Sequence, residues 1–207
     1  MGGAFGFILY QIINFFFQTG GSRSKIQKDI NDLKEILASE GEELVLVDSD
    51  EIALLSVRAK AQIITKGIYY TEVGNLGSVY GERLINFAYR KYSNGRSVLL
   101  LVMKDREFQF LESRNKIELK INGYHQGYIN KEHQLIDVEG SSIAQLTSGG
   151  QELTELQIKG SKAAVIRDPH SELNNENTRA ILELKDLGEV DQNLLLAMTS
   201  YELLLRE

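Results

Sequence analysis

Apolar residues occupy almost every position of the first seventeen, MGGAFGFILYQIINFFF, with Gln11 and Asn14 as the polar interruptions. As a helix this stretch reaches ~26 Å at ~1.5 Å per residue, slightly short of the ~30 Å hydrocarbon core of a bilayer. Arg23, Lys25 and Lys28 follow as a basic flank. Two readings stay open. In one, Phe5, Phe7, Ile8, Ile12, Ile13, Phe15, Phe16 and Phe17 contact a membrane and the flank meets its surface, which keeps the rest of the chain on the cytoplasmic side. In the other, the same side chains dock onto the folded domain or a second subunit. A cleaved secretory signal requires basic residues before the apolar run and a small-residue cleavage site after it, and neither is convincing here. Gly6 stands where N-myristoylation requires Ser or Thr.

The period then changes twice. Between Arg23 and Ser39, Ile26, Ile30, Leu33 and Leu37 form one apolar stripe on a charged helix that Ser22 can cap, and it serves either to pack on the domain or to space it from a bilayer. From Glu43 to about Ile166 short runs rich in Val, Ile, Leu, Tyr and Phe alternate with turn residues about every eight to twelve positions, as in a sandwich or barrel. The spacing predicts strands over Glu43–Val47, Glu51–Val57, Ile68–Glu72, Ser78–Tyr80, Leu84–Tyr92, Val98–Met103, Glu107–Ser113, Ile117–Ile121, Tyr124–Ile129, Gln134–Val138, Ser142–Leu146, Leu153–Ile158 and Ala163–Arg167. Ser93-Asn94-Gly95, Asn122-Gly123, Glu139-Gly140 and Lys159-Gly160 supply residues that tolerate the left-handed backbone of tight hairpins. In Lys116 to Ile121 strict alternation sets Ile117, Leu119 and Ile121 on one face and charges on the other. A short helix is predicted from Asn177 or Thr178 to Leu184. The closing stretch from Val190 to Glu207 carries Leu194, Leu195, Leu196, Met198, Tyr201, Leu204 and Leu205 around most of a helical wheel. A helix apolar on nearly all sides is buried on nearly all sides. A membrane span is the costlier reading, because Gln192, Asn193, Thr199, Ser200 and Glu202 interrupt it.

Composition narrows the function classes. A length of 207 residues suffices for one self-sustaining core. The organisation expected is an apolar segment over 1–20, an amphipathic spacer over 21–41 and one mainly β domain over 42–207. With no cysteine, disulfides, S-palmitoylation and thiol chemistry are excluded. The formal charge of -6 argues against nucleic acid as a partner. Tyr69, Tyr70, Tyr80, Phe87, Tyr89, Phe108 and Phe110 could interleave with Arg83, Arg90 and Lys91 as a base-stacking surface, but half-buried strands favour such residues anyway. His125, His133 and His170 lie in or beside turns without metal-site spacing and read as solvated. The glycine-rich run from Gly74 to Gly81 has neither the Gly-Lys-Ser/Thr ending of a phosphate loop nor the order of a dinucleotide fingerprint, and reads as a bend in a strand. Pairs such as Glu152/Glu155 and Asp48/Asp50 read as solvated. No cofactor and no catalytic set is expected.

Three stretches carry a family likeness: the hairpin from Ile117 through Asn122-Gly123 to Ile129, the run from Leu135 through Glu139-Gly140 to Leu146, and Asp191 to Ala197 at the start of the terminal helix. This order resembles the tubby-like and phospholipid-scramblase-like barrel superfamily. The resemblance implies a fold of about twelve antiparallel strands around an apolar helix, with Leu194 to Leu205 in the centre. Palmitoylated cysteines, an EF-hand-type calcium loop and a basic phosphoinositide pocket find no counterpart residue by residue. The expected function is therefore a non-catalytic, membrane-associated binding module for lipid headgroups or a protein partner. The alternative is a soluble oligomeric interaction protein whose N-terminal segment is buried between subunits.

Overall fold

A computed structural model describes residues 23–39, 43–65, 69–113, 116–150, 152–172, 174–175 and 177–205. Helices α1 (Arg23–Ser39) and α2 (Ser49–Ala53) precede twelve strands: β1 (Leu55–Thr65), β2 (Tyr69–Ser78), β3 (Arg83–Tyr92), β4 (Ser97–Val102), β5 (Glu107–Ser113), β6 (Lys116–Ile121), β7 (Tyr124–Ile129), β8 (Gln134–Ile136), β9 (Ser142–Ser148), β10 (Leu153–Ile158), β11 (Ser161–Arg167) and β12 (Ile181–Leu184). Helix α3 (Glu189–Leu204) follows them. The strands pair in sequence order, each antiparallel to the next. The sheet curls until its edges nearly meet: Val57 N donates to Thr178 O at 2.9 Å and Ala180 N to Leu55 O at 2.7 Å. The result is a nearly closed twelve-stranded barrel with a helix inside it.

Burial follows what lies on each face. β4, the Ser-Val-Leu-Leu-Leu-Val run, is buried on both: Val98 and Leu100 lie under α1, while Leu99 and Leu101 join the barrel interior. β6 alternates as its sequence demands, with Leu119 and Ile121 buried inward and Lys116 exposed. From Leu194 to Leu203 every residue of α3 is buried, against β1, β9, β10 and β11, and Leu204 and Leu205 are half-buried. The stripe on α1 covers the outer face of β3 and β4, with Ile30, Leu33 and Leu37 buried.

Four expectations need correction. Glu43–Val47 is not a strand but an irregular segment, bonded to the sheet through Val45 N and Arg83 O at 3.0 Å. Glu51–Val57 divides: Asp48 accepts from the amides of Asp50 at 2.8 Å and Glu51 at 3.3 Å, a cap that turns Ser49–Ala53 into a helix before β1 begins. Tyr69 to Ser78 forms one strand rather than two, because Gly74 lets β1 pass closely; a Cβ there would meet Lys60 O at 2.1 Å. The helix expected over 177–184 does not form: 177–180 are turn and bridge residues, and Ile181–Leu184 is strand β12, whose ladder with β11 outweighs the local helical signal.

Because every pairing is antiparallel, odd-numbered strands all run one way. We call the end at which they finish the upper end. Helix α3 runs toward it: Asp191 meets Lys159 of the lower β10–β11 turn at 2.7 Å, whereas Tyr201 meets His133 of the upper β7–β8 turn at 2.9 Å. Helix α1 runs the other way, since Asp29 binds Arg90 and Tyr92 at the finish of β3 and Lys34 binds Glu107 at the start of β5. Arg23 therefore lies toward the upper end.

Candidate functional site

Among the described residues, the upper end opens into cavities where α3 finishes. One cavity of about 250 Å³ lies between the β9–β10 turn, the start of β10 and the chain following β11, lined by Glu152, Thr154, Asp168, His170 and Glu202 among others. Its carboxylates are held in place. Glu202, 4% exposed, accepts from Thr154 Oγ1 at 2.6 Å. Glu152 accepts from Ser171 Oγ at 2.9 Å, and Asp168 accepts from the backbone amide of His170 at 2.8 Å. Glu152 itself adopts φ of +60°, so the turn that places its carboxylate carries backbone strain. Among the described residues no group of three His, Asp or Glu side chains could hold a metal ion.

A second cavity of about 570 Å³ adjoins it and shares His170. Its wall is the inner face of β1 to β4, through Ala59, Tyr70, Phe87, Tyr89 and Leu99, and its floor is Leu203, Leu204 and Leu205. Tyr70 and Tyr89 meet edge to face with centroids 6.5 Å apart. Tyr70 donates to Glu72 at 2.6 Å, and that bond to a carboxylate, with burial, pushes its hydroxyl up to about 12. The mouth thus joins a carboxylate-lined cavity to one lined by aromatic and aliphatic side chains together with Glu72 and Lys91. Beyond it stand Ile63 and Ile64, 47% and 43% exposed near the end of β1.

Of the residues expected to contact a membrane, Phe5, Phe7, Ile8, Ile12, Ile13, Phe15, Phe16 and Phe17 lie outside the described residues, and Arg23 is described by its backbone alone. Lys25 and Lys28 are exposed on the first turns of α1, at the upper end. The core set Leu194, Leu195, Leu196, Met198 and Tyr201 is buried in the barrel. His133 departs from the solvated-turn expectation, since it is half-buried on the core helix through Tyr201. Asp48 is exposed, as expected, and in addition caps α2. Its carboxyl is pulled below the usual range by the hydrogen bond with Glu51 and by the two amides, while the same bond raises Glu51. The aromatic set separates: Phe87, Phe108 and Phe110 are core, Tyr80 is 73% exposed at a lower turn, and Arg90 lies over the Tyr69 ring at 4.6 Å while paired to Asp29. Sequence reasoning assigned none of Thr154, Glu202 and Leu203 to Leu205 to a site: it placed Leu204 and Leu205 in the core helix and read Glu202 as a polar interruption of that helix. The available signal was Glu202 itself, a charge within an otherwise apolar helix.

Comparison with protein-family models, with curated proteins and with solved structures gave no match.

Proposed function

We propose that the chain is a non-catalytic binding module held at the cytoplasmic face of a membrane by its N-terminal apolar segment, with the upper mouth of the barrel turned toward lipid headgroups or a membrane-borne protein. The observation that carries this reading is directional. The segment that ends at Ser22 joins α1 at the same end of the barrel where the acidic and aromatic cavities open and where Ile63 and Ile64 are exposed. A membrane contact made by Phe5 to Phe17 brings that end, with exposed Lys25 and Lys28, to the headgroups. Among the described residues no helix is long and apolar enough to cross a membrane, so the reading rests on the segment that precedes α1. The mouth carboxylates are bound by neighbouring hydroxyls and an amide, an arrangement suited to a fixed recognition surface. The twelve-stranded barrel around an apolar helix also supports kinship with the tubby-like and scramblase-like superfamily.

The second reading, a soluble oligomer that buries the segment between subunits, is favoured by one feature. A cavity of about 670 Å³ runs beneath the first two turns of α1, with Ile26, Ile30, Tyr92, Val98 and Leu111 in its lining, close to where the segment joins. Flotation with phosphatidylglycerol-containing liposomes separates the readings. The full chain is expected to float, and a variant with Phe7, Ile8, Ile12 and Phe15 changed to Asp is expected to stay in the soluble fraction. Equal soluble recovery of both, together with a discrete detergent-free oligomer by light scattering that the Asp variant loses, would reject the tether.

A further inference from the structure

Three rungs of the barrel wall define the cavity of about 570 Å³ by depth. Tyr70 faces Lys91 at the first, Glu72 faces Tyr89 at the second, and Gly74 lies between Ala61 and Phe87 at the third. β2 runs away from the upper end, so this order leads from the mouth inward. Every one of these residues except Gly74 lines the cavity, which therefore grades from polar and aromatic at the mouth to apolar in depth. Its room comes from the third rung. Gly74 has no side chain, and a Cβ there would stand 2.8 Å from Phe87 Cζ, while Ala59 and Ala61 of β1 carry one carbon each. On the opposite side Leu203, Leu204 and Leu205 close the space. Leu204 and Leu205 stay half-buried there, although from Leu194 to Leu203 the helix is buried throughout.

We infer that this cavity takes one acyl chain of a lipid. The tail lies against Phe87, Leu99 and Leu203, and the polar head stays in water beside the Tyr70–Lys91 rung. Ligand cavities of ~300–1,000 Å³ are mostly apolar, with a few polar groups that fix the ligand's direction. Here those groups stand at the mouth, and Glu72 among them is bound by the Tyr70 hydroxyl at 2.6 Å. An amphiphile with a single tail matches that gradient end for end. Ile63 and Ile64, exposed beside the mouth, carry the apolar surface outward toward the side on which the tether places the bilayer. The inference rests on the reading of the domain as a lipid-facing binding module and deepens it, from headgroup contact to capture of a tail. It stands apart from the tether itself, because a dissolved lipid reaches the cavity without a bilayer.

The test uses the full chain without vesicles and cis-parinaric acid, a fatty acid that fluoresces in apolar surroundings. Saturable binding of one probe per chain is expected. Competition by palmitate, myristate and laurate is expected to weaken about three- to fourfold for each buried methylene removed. Stronger displacement by lysophosphatidylglycerol than by palmitate assigns the site to a bilayer lipid, and the reverse to a free fatty acid. Ala61→Trp, at an exposed position that tolerates the change, fills the cavity and is expected to weaken binding about tenfold or more. The variant with Phe7, Ile8, Ile12 and Phe15 changed to Asp is expected to bind as the parent does, which separates this site from the tether. Because the chain has no tryptophan, Tyr89→Trp reports the cavity and Tyr80→Trp the lower end. Nitroxide-labelled stearate is expected to quench the first and not the second. Absence of saturable binding, full binding by Ala61→Trp, loss of binding in the Asp variant, or equal quenching at both tryptophans would each overturn the proposal.

Discussion

Asp29 holds α1 to the barrel by accepting from Arg90 Nη1 at 2.9 Å and from the Tyr92 hydroxyl at 2.5 Å, while Arg90 Nε donates to Thr71 Oγ1 at 3.2 Å. Its side chain and that of Arg90 are 11% and 6% exposed. Removing one member of such a pair leaves the other charged and dry, so Asp29→Ala is expected to cost about 3–5 kcal/mol in urea unfolding. Burial, and then the bond to Asp29, raises the Tyr92 phenol above its ordinary value, and Tyr70 is pushed up to about 12 by Glu72. Both folded values lie above the unfolded one of about 10. Their stabilisation is therefore complete below pH ~10 and is lost as pH rises through the folded values, a window running from about 10 to about 12 for Tyr70. A tyrosinate absorbance titration is expected to show a late ionisation step that Tyr92→Phe removes. Inside the barrel, Thr199 Oγ1 is buried with no hydrogen-bond partner. A hydroxyl that has lost water and gained nothing is a liability, so Thr199→Val is expected to leave thermal stability unchanged or raise it by up to ~1 kcal/mol.

The elements divide into those governed by their own pattern and those governed by their surroundings. Helix α1, the hairpin at Asn122-Gly123 with φ of +51° and +80°, and α3 were legible because periodicity or turn chemistry acts locally. β12 was not: residues 177–184 favour a helix in isolation, and only the neighbouring strand, out of sight in the sequence, makes a ladder the better outcome. The division at Leu54 depended on the side chain of Asp48 capping α2, which a β-like run of Ile52, Leu54 and Leu55 concealed. Gly127 shows the same dependence on distant chain, since a Cβ at its φ of +146° would stand 1.9 Å from Ile136 O. Helix α3 carries the largest consequence. It is the rod on which β1, β9, β10 and β11 pack, and Leu195 is 0% exposed. Leu195→Ala is expected to cost about 2–5 kcal/mol, measured by denaturant unfolding, with loss of cooperativity if the barrel loosens. The all-round apolar wheel revealed that burial, but not that the last turn would form the floor of a mouth, because that depends on where the strands stop.

Taken as one molecule, the domain is polarised. α1 begins, α3 ends, and the cavities at Glu202 and at Tyr89 open at the same end, while Tyr80, Val138 and Val190 lie at the other. The membrane reading makes this polarity functional, because a tether at Ser22 fixes which end sees lipid. The site was the least legible part of the sequence. Thr154, His170 and Glu202 are far apart in the chain, and only barrel closure brings them together; Glu202 alone stood out, as a charge in an apolar helix. The chain's lack of cysteine allows a single reporter thiol to be placed at either end. An environment-sensitive fluorophore at Ile64→Cys, on the upper end, is expected to shift to the blue and be quenched by spin-labelled lipid when phosphatidylglycerol vesicles are added. The same fluorophore at Val138→Cys, on the lower turn between β8 and β9, is expected to stay unchanged. Quenching at Val138 with none at Ile64, or no response at either site, would contradict a barrel whose upper mouth faces the bilayer.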